Sequence, residues 1–236
     1  MPPLDIAQRY ATIAANVAAS ARECGRSPDE VTLVTVTKTR TIAEITRAVA
    51  AGAIHLGENY VQELLNKHEQ STDMAEMSQA KWHFIGHLQR NKARSLVEFC
   101  HLIHSVDSIR LIRELDRQAE RRQRVQAVLL QLDLAGEETK FGASPELLPE
   151  LMEALSEARS LDWQGLMCMA PFSDDPENAR PYYARLAQIR EQLAGQGVEQ
   201  RHLRHLSMGM TSDYRVAIEE GATLVRIGQA IFGPRS

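Results

Sequence analysis

The chain alternates between two patterns of hydrophobic and polar residues. Short β-branched or apolar runs, typical of buried strands, are each followed by a longer stretch with the apolar spacing of an amphipathic helix. The strand-like runs lie near 31–37, 53–56, 82–85, 102–106, 125–132, 161–168, 203–206 and 223–227. The helical stretches lie near 4–23, 41–51, 58–69, 89–98, 108–123, 145–158, 181–194 and 212–220.

This order of elements predicts an α/β fold with a parallel sheet, because each crossover is long enough to hold a helix. Eight units favour a (β/α)8 TIM barrel with an extra N-terminal helix over an open doubly wound sheet. No Gly-x-Gly-x-x-Gly motif follows the first strand, and the candidate functional residues follow several different strands, as in barrel sites. No linker-like stretch divides residues 1–236, so we expect a single domain.

The first strand-like run, VTLVTVTK, ends on a charged residue, Lys38. Alternation places Val34, Val36 and Lys38 on one side of the strand. If that side faces the barrel interior, the amine lies at the C-terminal mouth, where barrel active sites form. Partial desolvation there makes a lysine a nucleophile for an aldehyde or ketone. The run alone does not distinguish this role from that of a lysine whose amine reaches water.

Two glycine-containing segments near the C-terminus are candidate phosphate sites. Residues 207–212 follow the seventh predicted strand and open a helix, and Gly209 allows close backbone approach. Residues 226–229 follow the eighth strand, and phosphate sites of barrels commonly form after strands seven and eight. A carbonyl-reactive lysine with a phosphate site indicates pyridoxal 5′-phosphate, or a phosphorylated sugar cleaved by a class I aldolase. Composition and spacing do not separate the two.

Composition narrows the setting further. A chain of 236 residues that is 44% hydrophobic suits a barrel, which typically needs about 250 residues. The net charge of −4 gives no reason to expect a nucleic acid or an acidic membrane as partner. No apolar run has the length of a membrane span. Three distant cysteines without a Cys-x-x-Cys pair indicate a reduced, cytoplasmic location.

Histidine and glutamate patterns add no further predicted site. Histidines recur at helical spacing at 83/87, 101/104 and 202/205, but no carboxylate or cysteine joins these pairs, so no metal site is expected. Glu58 and Glu63 could be acid–base groups. Their position instead favours a role at the start of the second helix or a place in solvent.

Several segments together resemble the YggS/PROSC family of pyridoxal phosphate-binding proteins. They recur in order from about residue 31 to 233, so the resemblance covers nearly the whole chain. The segments are VTKTR, HLGENYVQE, WHFIGHLQRNK, HSVDS, GLMCMAP and the C-terminal SMGMTSD, VRIG and IFG. The sequence departs from the family pattern at Arg40-Thr41, at Asp133 in the 133–142 loop and at Thr211, while Lys38 stays in place.

The resemblance implies a fold like the barrel domain of alanine racemase, fold type III. It implies that Lys38 carries pyridoxal 5′-phosphate as a Schiff base and that Arg226 faces the pyridine nitrogen. It also implies that Asn59 lies beside the cofactor and that His83 faces the ring. Four residues are implied to hold the phosphate through hydroxyl and backbone N–H groups: Ser207, Gly209, Gly228 and Gln229.

The resemblance further implies a role in cofactor homeostasis, by buffering, carrying or delivering pyridoxal phosphate, with apo-forms of pyridoxal phosphate enzymes as candidate recipients. No firm enzymatic activity is implied. Racemases of this fold take an opposing tyrosine from an extra C-terminal β domain, whereas this chain ends at Ser236, soon after the eighth strand. A cofactor-binding protein is therefore favoured over a racemase, and we separately expect a monomer. A racemase-like enzyme and a Schiff-base aldolase are the alternatives.

Overall fold

A closed barrel of eight parallel strands forms the centre of the molecule. The computed structural model describes residues 5–136 and 141–234. Successive strands pair in chain order and the eighth pairs with the first, so the prediction of a TIM barrel is confirmed. The strands are β1 (Thr32–Val36), β2 (His55–Glu58), β3 (Lys81–Phe84), β4 (Leu102–Val106), β5 (Gln126–Leu132), β6 (Leu161–Cys168), β7 (His205–Ser207) and β8 (Leu224–Ile227).

Helices connect the strands and cover the outside of the barrel. The predicted helix over 89–98 is a 3-10 turn followed by a single α-helical turn, and a short helix after β8 was not predicted. Position 4 and positions 137–140 of the 133–142 loop lie outside the described residues. The helices are α1 (Ile6–Glu23), α2 (Ile42–Ala50), α3 (Val61–Ser71), α4 (Ala93–Leu96), α5 (Ile109–Arg121), α6 (Leu148–Glu157), α7 (Arg180–Gly195), α8 (Tyr214–Glu219) and α9 (Gln229–Phe232).

The N-terminal helix α1 begins at a capping box and packs against the barrel's outer layer. Asp5 accepts a hydrogen bond from the backbone N–H of Gln8, and the Gln8 side chain bonds back to the Asp5 N–H, which satisfies two donors of the first turn. On the buried face, the Tyr10 hydroxyl donates to the Gly52 carbonyl at 2.9 Å. In the part of the chain described here, no helix has the length and apolarity needed to cross a membrane.

Side chains alternate along each strand between the outer core and the barrel interior. The outward side chains pack beneath the helices in the larger hydrophobic cluster. The interior holds a small apolar cluster that closes the barrel below its C-terminal mouth, so that mouth is a recess with a packed floor. The cluster consists of Val34, Leu102, Leu129, Met167 and Leu224.

Candidate functional site

A cavity of about 610 Å³ opens at the C-terminal mouth of the barrel. The strands are parallel, so their C-terminal ends and the loops that follow them surround the same opening. A cavity of this size suits a small-molecule cofactor. Five of the residues predicted from sequence to bind a cofactor lie in its wall: Lys38, Asn59, Arg226, Gly228 and Gln229.

Lys38 lies two residues beyond the end of β1, in the cavity wall. Val34 belongs to the interior cluster, and Val36 and Lys38 line the cavity. The three residues therefore lie on the same, inward face of β1 and its exit, as the alternation predicts. The next residue, Thr39, has a φ of 65°, in the left-handed region that non-glycine residues rarely adopt. Such a conformation costs about 1–3 kcal/mol and persists where the surroundings hold it.

An ion-pair network from α3 holds the backbone on both sides of Lys38. The ammonium of Lys67 donates to the Thr37 carbonyl and to Glu58 Oε1, each at 2.6 Å. The same ammonium donates to Glu63 Oε1 at 2.7 Å. That carboxylate oxygen accepts the Thr39 backbone N–H at 2.5 Å. Lys67 and Glu63 thus join the strand exit to α3 and oppose relaxation of the strained turn.

The carboxylate of Glu58 is completely buried at the end of β2, so the expectation that it faces solvent is wrong. Its Oε1 accepts hydrogen bonds from Lys67 and from the Thr37 hydroxyl, the latter at 2.6 Å. Burial raises the pKa of Glu58, while the ammonium and the hydroxyl favour its ionised form. A buried carboxylate of this kind depends on its cation, because an unpaired charge in the interior is costly.

The guanidinium of Arg226 forms a fixed cation in the cavity wall. Its Nη1 donates to Ser207 Oγ at 2.7 Å and its Nη2 to the Cys168 carbonyl at 3.0 Å. Burial lowers the pKa of Arg226, but an arginine stays protonated at neutral pH. No carboxylate of the described residues lies within ion-pair distance of it. A buried cation compensated only by neutral groups is suited to a ligand with an acceptor or negative charge.

Three buried or half-buried histidines continue from Ser207 through the barrel. We call them the histidine chain: His104, His83 and His55. His104 Nδ1 lies 2.8 Å from Ser207 Oγ, His83 Nδ1 lies 2.9 Å from His104 Nε2, and His55 Nδ1 lies 2.8 Å from His83 Nε2. Burial lowers the pKa of His55 to about 4 and those of His83 and His104 well below the usual value. All three imidazoles are therefore neutral at pH 7.

Arg226 favours one direction for the hydrogen bonds in this chain, because that direction gives the Ser207 proton an acceptor. A guanidinium can only donate, so Ser207 Oγ accepts from it. The Ser207 proton then points to His104 Nδ1, the other partner that the structure gives this hydroxyl. It follows that His104 Nε2–H donates to His83 Nδ1 and that His83 Nε2–H donates to His55 Nδ1. The chain runs from the cavity to the opposite mouth of the barrel.

The loop after β7 is held in shape by a buried aspartate. Asp213 Oδ1 accepts the Met210 backbone N–H at 2.6 Å and the Tyr183 hydroxyl at 2.9 Å. Its Oδ2 accepts the Ser212 hydroxyl at 3.1 Å. These bonds close a tight turn whose residues Met210, Thr211 and Ser212 form part of the cavity wall.

Ser207 and Gly209, predicted to contact a phosphate, are not among the residues that line the cavity. Ser207 is completely buried at the end of β7 and contacts Arg226 and His104. Gly209 has a φ of 90°, and a Cβ there would lie 2.5 Å from Ala217 Cβ. Gly209 therefore permits α8 to pack closely against the loop. The predicted phosphate contact of these two residues stays a prediction.

The remaining wall residues fit a small polar cofactor. A Cβ on Gly228 would lie 2.8 Å from the Val36 carbonyl oxygen, so the β8 loop approaches β1 as only glycine allows. The backbone of Asn59 passes close to Gly86, where a Cβ would lie 2.0 Å from the Asn59 carbonyl oxygen, so only glycine leaves room for it. Asn59 Oδ1 is buried without a hydrogen-bond partner in the described residues. An acceptor of this kind beside a fixed guanidinium suits a ligand with both a hydroxyl and an acceptor group, as pyridoxal phosphate has.

Comparison with known proteins decides between the families that share this barrel. The family model for the alanine racemase N-terminal domain matches residues 9–236. A protein of Aquifex aeolicus named pyridoxal phosphate homeostasis protein is 38% identical over 232 residues, which are 98% of this chain and 99% of that protein. The chain belongs to the pyridoxal phosphate homeostasis protein family.

A solved structure of PipY from Synechococcus elongatus, with pyridoxal phosphate bound, shares this architecture. Its TM-score to this homeostasis-family chain is 0.84 at 36% identity, covering 97% of this chain and all of PipY. D-Threonine aldolase from Filomicrobium marinum has a TM-score of 0.72 and covers 96% of this chain and 60% of the aldolase chain. Its sequence identity is 18%, so it shares the fold alone. The predicted likeness to the alanine racemase barrel and the predicted family are both confirmed.

Sequence reasoning missed several contacts around the homeostasis-family cavity. Thr211 and Ser212 line it; both belong to the predicted phosphate segment 207–212, but neither was named as a binding residue. Arg40 also lines it and donates to the carbonyls of Gly233 and Pro234, at 2.7 and 3.0 Å. No sequence signal joins residues so far apart. His83 was expected to face a cofactor ring, but it lies in the histidine chain below the cavity.

Proposed function

We propose that the protein binds pyridoxal 5′-phosphate in the C-terminal cavity, as a Schiff base with Lys38, and acts in pyridoxal phosphate homeostasis. The convergence of Lys38, Asn59, Arg226, Gly228 and Gln229 on one cavity carries this proposal, because these residues come from three separate segments of the sequence. The names of the relatives and the cofactor in the PipY structure support it. The three cysteines are unpaired thiols, which suits the proposed cytoplasmic location, and we propose that the protein is a monomer.

In this proposal Arg226 lies against the pyridine nitrogen. Ser207 and the Cys168 carbonyl orient the guanidinium, so Ser207 also acts as a positioning residue for Arg226. An arginine can donate to the ring nitrogen but cannot take a proton from it or give it one readily. The ring nitrogen stays unprotonated, and the cofactor is a weaker electron sink than one that faces a carboxylate. This favours a binding role over the stabilisation of carbanions.

We further propose that the two loops after β7 and β8 hold the phosphate. Gly228 and Gln229 offer backbone N–H groups from one side. Thr211 and Ser212 offer hydroxyls from the other, in the turn that Asp213 holds. The mouth stays accessible, since Phe172 in the cavity wall is 82% exposed. An open mouth suits a protein that takes up cofactor and delivers it to apo-enzymes.

Borohydride reduction followed by peptide mass mapping tests the binding proposal. The purified protein is expected to be yellow, and reduction is expected to fix one cofactor on Lys38. The Lys38→Ala variant should lose the colour and the adduct, while Lys92→Ala, which changes an exposed lysine, should retain both. A colourless protein that does not react with added pyridoxal phosphate, or an adduct on another lysine, would contradict the proposal.

Delivery and catalysis are tested separately. The loaded protein is mixed with an apo-enzyme that requires pyridoxal phosphate, in the presence of an agent that traps free cofactor. We expect the activity of the apo-enzyme to return faster than when the same amount of free cofactor is added under the same conditions. Failure to transfer would argue against delivery and leave storage. Sustained turnover of a D- or L-amino acid that is lost in Lys38→Ala would instead support a racemase-like enzyme.

A further inference from the structure

Three histidines gather at the N-terminal mouth of the barrel, opposite the cavity. His55 opens β2, His83 is the third residue of β3, and His101 directly precedes β4. One ring nitrogen from each lies within 4.8 Å of the others. The ring centroids are 5.0 Å apart for His55 and His83, 5.2 Å for His83 and His101, and 5.9 Å for His55 and His101. His83 and His101 belong to two different pairs of the sequence analysis, 83/87 and 101/104, and His55 belongs to none of the pairs.

Exposure within the cluster is graded from inside to outside. His83 is buried, His55 is half-buried and His101 is exposed. An ion could therefore enter past His101, and its outer side would stay open to water. Three imidazole nitrogens with a solvent ligand in the fourth position form a common tetrahedral zinc environment, with bonds of about 2.0–2.1 Å.

His83 also has a well-defined outer partner. Its Nδ1 lies 2.9 Å from His104 Nε2, and His104 Nδ1 lies 2.8 Å from Ser207 Oγ. Histidines that ligate metals almost always donate their second ring N–H to an acceptor, which fixes the ring and its tautomer. His104 can serve as that acceptor if it in turn donates to Ser207. Burial keeps the imidazoles neutral, which is the form that binds metals.

We propose that His55, His83 and His101 form a binding site for a divalent transition-metal ion at the N-terminal mouth of the barrel. An all-imidazole set suits Zn²⁺, Co²⁺, Ni²⁺ or Cu²⁺, whereas Mg²⁺ and Ca²⁺ prefer oxygen ligands. The exposed Lys81 lies close enough for its charge to lower the pKa values of His55 and His101. That charge opposes a cation, so Lys81 limits the affinity of the site.

Occupation of this site reverses the hydrogen bonds of the histidine chain. Without metal, His83 Nε2 carries the proton that it donates to His55. With metal on Nε2, the single N–H of His83 moves to Nδ1 and that of His104 moves to its own Nδ1. Each imidazole stays neutral with one N–H, so no net proton is released. Ser207 Oγ then accepts from both His104 and Arg226, and the Ser207 proton loses the acceptor that it has in the metal-free protein.

Cobalt titration of the full chain, prepared without cofactor and stripped with EDTA, tests the site. We expect visible d–d absorption bands that saturate at one equivalent of Co²⁺. His101→Ala, which removes an exposed ligand and leaves the core intact, is expected to abolish the bands. His87→Ala, which removes an exposed histidine outside the cluster, should retain them. No saturable band at one equivalent, or a band that His101→Ala leaves unchanged, would overturn the proposal.

Two further variants test the surroundings of the site. Lys81→Gln is expected to tighten Co²⁺ binding severalfold, since it removes an opposing charge. His104→Phe removes the acceptor of the His83 N–H and is expected to weaken Co²⁺ binding by about 10–100-fold. An unchanged affinity in both variants would contradict the assignment of His83 as a ligand. Circular dichroism before titration verifies that each variant is folded.

Discussion

At the residue scale, Gly228 is a position where a single methyl group should disturb the site. A Cβ there would lie 2.8 Å from the Val36 carbonyl oxygen, and backbone cannot yield as a flexible side chain can. We expect Gly228→Ala to lower the free energy of unfolding by about 1–3 kcal/mol and to weaken cofactor binding. Urea denaturation and cofactor absorbance measure the two effects.

The matched control for this substitution is Gly195→Ala at the end of α7. A Cβ there meets no atom within 4 Å, and Gly195 needs no positive φ. This variant should be neutral or more stable by up to about 1 kcal/mol, because alanine restricts the unfolded chain. Equal stability of the two variants would show that the β8 loop tolerates a side chain.

Thiol reactivity is a second property set by single residues. Cys100 and Cys168 are buried, and burial raises the pKa of each to about 12. Cys24 is exposed. We expect a thiol reagent at pH 8 to label Cys24 alone in the native protein and all three cysteines in urea. Fast labelling of Cys168 in the native state would mean that the packing behind Arg226 opens.

At the element scale, the strand exit that presents Lys38 depends on a residue of α3. Lys67→Met removes the hydrogen bond to the Thr37 carbonyl and leaves the buried Glu58 carboxylate unpaired. Loss of one partner of a buried ion pair typically costs about 3–5 kcal/mol. We expect a decrease of this size in the free energy of unfolding, measured in urea, together with faster loss of cofactor.

The double variant Glu58→Gln/Lys67→Met separates charge from packing. It should recover part of the stability, because a neutral amide is less costly to bury than an unpaired carboxylate. Lys92→Met, at an exposed lysine, should stay within about 0.5 kcal/mol of the parent protein. A double variant as unstable as Lys67→Met alone would argue that Lys67 acts through packing.

Elements were predictable where their local pattern was long enough to be periodic. The bounds of β4 and β6 agree with the predicted runs, and α1 differs from its prediction by two residues at its start. The helix α9 spans a single turn, too short for a periodic pattern to appear. The exit of β1 follows from its sequence alternation, whereas the left-handed φ of Thr39 depends on Glu63, which lies on another element.

At the scale of the whole molecule, the histidine chain makes stability depend on pH. The native pKa values of His55, His83 and His104 lie below the value of about 6.5 for an unfolded chain, and the nearby charges of Lys81 and Arg226 act in the same direction. As the pH falls below 6.5, the unfolded state binds protons that the native state does not. Stability is therefore complete above about pH 7 and decreases toward pH 4.

The expected slope is at most about 1.4 kcal/mol per pH unit for each histidine of the chain. Urea unfolding between pH 7.5 and pH 5, in buffer with EDTA, measures it. His55→Gln should flatten the dependence, while Lys92→Gln, which changes an exposed lysine outside the chain, should leave it unchanged. A free energy of unfolding that stays constant down to pH 5 would mean that the three histidines take up protons as readily in the folded protein as in the unfolded chain.

The sequence by itself determined the order of the strands and helices, the closure expected of eight units, and the position of Lys38 at a strand exit. These properties depend on periodicity and on which residue ends a strand, both of which are local. Expectations such as a single domain and the phosphate contacts of Ser207 and Gly209 stay predictions.

Only the tertiary structure decided which interior side chains meet. His104 and Ser207 are 103 positions apart and come from β4 and β7, yet their side chains lie 2.8 Å apart across the barrel. Sequence alternation indicates that such residues point inward, but it does not indicate which of them lie at the same height along the barrel axis. Strand register and the closure of the barrel set the level, and they place Arg226, Ser207 and the histidine chain in one hydrogen-bonded line.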